Sequence, residues 1–140
     1  MPAGNVQLAA AGTRLPTTAR FKGTGVARYE FPIGSWDAHV QGAVSHTGKR
    51  RGDLRDDENA IIGTLPDYTT VDLSLGAEGG NYRVELFALN VFDSNGRYST
   101  ALQCQAVVCG DPDGISGTGG VFYDTVVRPR TIGLRVGFDF

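Results

Sequence analysis

Five stretches of this 140-residue chain alternate between apolar and polar side chains with a period of two, and the polar sides carry too much charge to form a core. The clearest is the closing decapeptide, TIGLRVGFDF. There Ile132, Leu134, Val136, Phe138 and Phe140 fall on one side, and Thr131, Gly133, Arg135, Gly137 and Asp139 on the other. A period of two is the signature of a β-strand with one apolar and one polar face. In FKGTGVARYEF, Phe21, Gly23, Gly25, Ala27, Tyr29 and Phe31 oppose Lys22, Thr24, Val26, Arg28 and Glu30. In WDAHVQGAVSHTG, Trp36, Ala38, Val40, Gly42 and Val44 oppose Asp37, His39, Gln41 and Ser45. Val71, Leu73, Leu75 and Ala77 oppose Thr70, Asp72 and Ser74; Tyr82, Val84, Leu86 and Ala88 oppose Arg83 and Glu85, before the pattern blurs at Phe87 and Leu89. A sheet built from these strands has an apolar face that something must cover and a charged face that must stay wet.

Helices are disfavoured. No stretch holds a helical period, and the 20 glycines are about twice the usual share of roughly 7%, a residue poorly suited to helix interiors. The length suits one ordinary domain. A net charge of −2 leaves no basic footprint, so no nucleic-acid partner is expected. No apolar run approaches the ~20 residues of a spanning helix, but a membrane barrel needs strands of only about 9–11 residues. The opening MPAGNVQLAAAGTRLP lacks the positive segment and apolar core of a secretory signal. The expectation is a cytoplasmic protein or a piece of a longer chain.

The pattern predicts strands at about 20–31, 36–48, 67–78, 81–92 and 128–140, with 1–19 as a loop or strand remnant. Tight-turn residues, PIGS and EGGN, join the first and second pairs, while long segments, 49–66 and 93–127, make the other connections. Short, long, short, long is the order of an up-and-down meander with its turns at one end and its outer loops at the other. At the turn end the apolar face carries Tyr29, Phe31, Trp36, Tyr82, Phe138 and Phe140, matching the aromatic girdle of a transmembrane barrel. The expected fold class is all-β: an antiparallel up-and-down meander of about five strands, an incomplete portion of a transmembrane β-barrel. The alternative is a soluble β-rich binding module in which the same rings pack on a second sheet or another subunit.

The segment LPDYTTVDLSLGAEGGNYRVELFALNVFD, a long loop and then RPRTIGLRVGFDF resemble the C-terminal end of TonB-dependent outer-membrane receptors, and GTRLPTTARFKGTGVARYEF resembles the stretch that opens their last five strands. The resemblance runs from about Gly12 onward. It implies a 22-stranded plugged barrel in the outer membrane of a Gram-negative cell, importing a scarce ligand of the siderophore, cobalamin or oligosaccharide type. It implies that the present chain supplies only the last five strands. Its partners are then the N-terminal remainder of the receptor (plug and other strands), outer-membrane lipid, the barrel-assembly machinery, and TonB only through that remainder. Within the resemblance, Leu134, Val136, Phe138 and Phe140 match the C-terminal assembly signal. The end of another outer-membrane barrel is a further alternative.

Other motifs have blander readings. Cys104 and Cys109, in QCQAVVCG, form a local disulfide if their loop faces an oxidising exterior; free thiols and a metal site are the alternatives, and a lone C-x4-C pair is weak for zinc. In KRRGDLRDDENA, Lys49, Arg50, Arg51 and Arg55 balance Asp53, Asp56, Asp57 and Glu58, as in a solvated outer loop, and the spacing fits no calcium loop. His39 and His46 fall on opposite faces and cannot share a metal. Asn90 and Asp93 are read as strand-stopping, loop-capping residues. No nucleophile–base set or carboxylate pair assembles from the sequence, so no enzyme, cofactor or metal is expected, and no ligand-binding residue is assigned.

Overall fold

The computed structural model describes residues 10–103 and 121–140. They form two compact units. One contains the described residues up to 20 together with 48–67, 97–103 and 121–126; the other contains 21–47, 68–96 and 127–140.

The second unit is an antiparallel sheet of five strands: β1 (Lys22–Ile33), β2 (Trp36–Thr47), β5 (Tyr68–Gly79), β6 (Tyr82–Leu89) and β9 (Thr131–Phe138). Its spatial order, β1-β2-β5-β6-β9, follows the chain. It is therefore an up-and-down meander, and the sheet is open, with β1 and β9 at its edges. Three strands are 12 residues long. Two-residue hairpins join β1 to β2 and β5 to β6, closed by the pairs Ile33–Trp36 and Gly79–Tyr82. Each turn opens on a glycine with positive φ, Gly34 at 64° and Gly80 at 57°, a conformation that favours glycine and suits the twist of a hairpin.

The strand ends differ from the sequence pattern for local reasons. β1 runs through Pro32 to Ile33, because an edge strand tolerates a proline whose missing N–H faces away from the ladder. β6 stops at Leu89 instead of continuing to 92. Asn90 takes φ 49° and Asp93 φ 52°, breaking the extended geometry. Asn90 is 3% exposed. Its Nδ2 donates to the carbonyls of Ser94 (3.1 Å) and Arg128 (2.8 Å), and its Oδ1 accepts from the Ser94 N–H at 2.9 Å. Asp93 Oδ1 accepts from the Arg130 N–H at 2.9 Å. These bonds tie the exit of β6 to the entrance of β9.

The two long connections are not simple loops. Between β2 and β5 lie β3 (Arg50–Arg51), α1 (Asp56–Ile62) and β4 (Thr64–Leu65); between β6 and β9 lie β7 (Arg97–Gln103) and β8 (Val121–Val126). Two-residue strands are too short to show a period, and the register of β7 on β8 shifts between Arg97 and Ser99, which spoils any alternation. In this unit Leu65 is fully buried and Arg50 is buried, donating to the carbonyls of Arg97 (2.5 Å), Pro66 (3.3 Å) and Tyr98 (3.4 Å). One guanidinium thus holds β7 against the residues around β4.

Candidate functional site

The register sorts the sheet's residues into two faces without exception. Directly paired residues in an antiparallel ladder point the same way. One row reads Ala27–Gly42–Leu73–Ala88–Ile132, the next Tyr29–Val40–Leu75–Leu86–Leu134, and the next Phe31–Ala38–Ala77–Val84–Val136. Every position is apolar or glycine. Yet among the described residues the buried hydrophobics are only Ala38, Leu65 and Val127, whereas Leu75, Leu86, Ile132, Leu134 and Val136 are all half or more exposed, Leu134 at 64%. Monomeric proteins in water seldom expose so continuous an apolar surface.

Aromatics gather at the hairpin end of this face. Tyr82 and Phe138 are paired in register with ring centroids 5.1 Å apart, and Phe138 meets Phe140 edge-on at 5.2 Å. Tyr29 and Phe31 stack at 5.6 Å. Trp36 lies across Gly79, where an added Cβ would come within 2.6 Å of its ring. The structure therefore brings Tyr29, Phe31, Trp36, Tyr82, Phe138 and Phe140 onto one face near one end. Leu134, Val136 and Phe138 line the same face of β9, an edge strand.

The opposite face is a lattice of compensated charge. Arg28 Nε pairs with Glu30 at 2.7 Å and its Nη1 reaches Gln41 at 3.5 Å; Arg83 pairs with Glu78 at 3.1 Å; Arg135 pairs with Glu85. Exposed pairs of this kind add little stability, typically below about 1 kcal/mol each. What they do is hold a polar surface in a fixed arrangement. Glycines make room for the larger rings here: a Cβ on Gly76 would collide with the His39 imidazole, and one on Gly133 with the Phe87 ring. The Arg135 guanidinium sits 5.3 Å from the Phe87 centroid, a cation–π contact. This accounts for the blurred alternation of β6, since Phe87 lies on the charged face by resting on a glycine beneath an arginine. A glycine directly across the ladder from an aromatic is the signal in the sequence that marks such a site.

His39 and His46 stand on opposite faces. His39 is over Gly76 on the charged side, while His46 Nδ1 lies 2.9 Å from Thr69 Oγ1 on the other, beside the Phe21 ring at 6.0 Å. Among the described residues no group of three His, Cys, Asp or Glu side chains is placed to hold a metal ion. Cys104 and Cys109 lie outside the described residues. The charged loop is ordered by its own side chains: Asn59 Oδ1 accepts from the N–H of Gly52 (3.0 Å) and Asp53 (3.4 Å), Asp53 Oδ1 accepts from the Arg55 N–H (2.8 Å), and Arg51 pairs with Asp56.

No family model, no curated protein and no solved structure matches this chain.

Proposed function

We propose that the five-stranded sheet is a section of the wall of an outer-membrane β-barrel, of the TonB-dependent receptor type, which takes part in energised uptake of a scarce ligand only together with the rest of its barrel. The observation that carries the reading is the pairing of an exposed face, apolar across its three central rows and bounded at the hairpin end by aromatics, with an opposite face of ion pairs. Lipid covers the first and water the second. The strand lengths agree. From Gly25 to Ile33 is ~27 Å of strand, which at the usual tilt of about 40° makes a band about 20 Å tall.

The open edges carry the second half of the reading. Unpaired backbone groups along β1 and β9 cannot be left in hydrocarbon, so further strands of the same barrel are the expected neighbours. The remaining partners follow from this: outer-membrane lipid, the barrel-assembly machinery acting on Leu134, Val136, Phe138 and Phe140, and TonB through an N-terminal region. The wall is structural, and no catalytic step is assigned to it. The ligand class remains siderophore, cobalamin or oligosaccharide.

The test is to dilute the denatured chain into buffer with and without phospholipid vesicles and follow Trp36, the sole tryptophan. The expected result is vesicle binding, with Trp36 emission quenched by lipids brominated on their acyl chains. A soluble monomer that unfolds cooperatively without vesicles or detergent refutes the proposal and favours the binding-module alternative.

A further inference from the structure

The loop KRRGDLRDDENA is electrically balanced in sequence, but the fold gathers three of its basic residues at one cleft. Lys49, Arg50 and Arg51 line a cleft of about 410 Å³ together with Arg14, Thr13, Thr18, Asn59 and Thr64 of the same unit, and no carboxylate among the described residues lines it. From these residues we infer that the cleft binds a phosphorylated sugar. The inference does not rest on the membrane reading, because every lining residue belongs to the other unit.

Three features shape the cleft for such a ligand. Its two walls are fastened together, since the Thr17 N–H donates to the Arg51 carbonyl at 2.9 Å, bringing segment 12–18 alongside β3. Its cations divide into two kinds. Arg51 is held by the Asp53 carbonyl at 2.7 Å and by the Asp56 carboxylate, and Arg50 by main-chain carbonyls. Arg14 and Lys49 are exposed and, among the described residues, form no ion pair. They are the charges available to a phosphate, which guanidinium and ammonium groups bind through charge-assisted hydrogen bonds. The third feature is neutral. Asn59 has its Oδ1 committed to the Gly52 and Asp53 N–H groups, so its Nδ2 is the end left to donate, and the threonine hydroxyls both donate and accept. The volume exceeds what one phosphate fills and falls in the range of small-molecule sites, roughly 300–1,000 Å³. A phosphate on a hydroxyl-rich ring matches both the charge and the neutral donors.

The sugar phosphate has two possible sources, a soluble metabolite or a lipid headgroup, and the experiment separates them. The full chain, refolded in buffer or detergent, is titrated by calorimetry with glucose 1-phosphate and with glucose, and separately with phosphatidylcholine vesicles carrying diphosphorylated or dephosphorylated lipid A. Phosphate-dependent binding in either arm, weakened at least tenfold in Arg14→Gln/Lys49→Gln and retained in Arg14→Lys/Lys49→Arg, is the expected result. Response to glucose 1-phosphate identifies a soluble ligand, and response only to the phosphorylated vesicles identifies the headgroup. Both substituted side chains are exposed, so strand content by circular dichroism stays unchanged. Absence of phosphate-dependent binding in both arms, or equal binding by Arg14→Gln/Lys49→Gln and the parent chain, overturns the proposal.

Discussion

Two exposed apolar residues on opposite faces of the sheet separate a membrane wall from a sheet in water. Leu86 is 50% exposed on the apolar face and Val26 is 63% exposed on the charged face. In water alone, an arginine at either position is worth no more than about 0.5 kcal/mol. In lipid the two diverge. Leu86 lies four residues along β6 from Tyr82, ~10 Å of depth at ~3.4 Å per residue and a tilt of about 40°, close to the middle of the apolar band of about 20 Å. An arginine at that depth costs ~2–4 kcal/mol. Losing the exposed half of the leucine adds ~1 kcal/mol, half the usual gain for burying a leucine. The sum, ~3–5 kcal/mol, corresponds to a loss of about two to four orders of magnitude in vesicle partitioning for Leu86→Arg. Val26→Arg faces water with Arg28 and leaves partitioning within about threefold, the equivalent of ~0.5 kcal/mol. The assay is the vesicle concentration at half-maximal Trp36 blue shift for each variant. Equal shifts for the two variants, in either direction, refute the two-faced assignment. A large cost of Leu86→Arg in buffer without vesicles instead places that face inside a protein core.

Three further outcomes follow from the packing. Asn90→Ala removes three hydrogen bonds from a nearly buried site and leaves a non-glycine at positive φ; it is expected to lower stability by ~2–3 kcal/mol, with faster amide exchange at Ser94, measured by hydrogen–deuterium exchange. Gly76→Ala drives a methyl into the His39 ring and is expected to cost ~1–3 kcal/mol. The cost largely disappears in a His39→Ala background, as a double-mutant cycle read by urea unfolding in micelles will show. Arg135→Ala removes an exposed ion pair and the contact with Phe87; a loss below about 2 kcal/mol, smaller at high salt, is expected from the same titration.

How much of this was legible in the sequence depends on how far apart the interacting residues lie. The faces of β1, β2, β5 and β9 follow from residues two apart, so a period of two was enough to assign Tyr29, Leu75 or Val136 to the apolar side. The hairpin turns were equally local, since Gly34 and Gly80 mark them by the conformation they supply. Phe87 was illegible for the opposite reason. Its place on the charged face is explained by Gly133, directly across the ladder, and by Arg135, and neither is a sequence neighbour. The two long connections look like loops in the sequence because their strands are too short or too irregular to show a period, and because the residue that holds them, Arg50, draws on carbonyls of Pro66, Arg97 and Tyr98. Charge shows the same division most sharply. Summed along the chain, Lys49 to Glu58 is neutral, and neutrality argues for a solvated loop. Folded, the Thr17–Arg51 bond brings Arg14 from outside that sum, while Asp53 accepts from the Arg55 N–H and Asp56 pairs with Arg51. A linear sum cancels charges that space separates, so a basic cleft can be built from a segment whose composition argues against one.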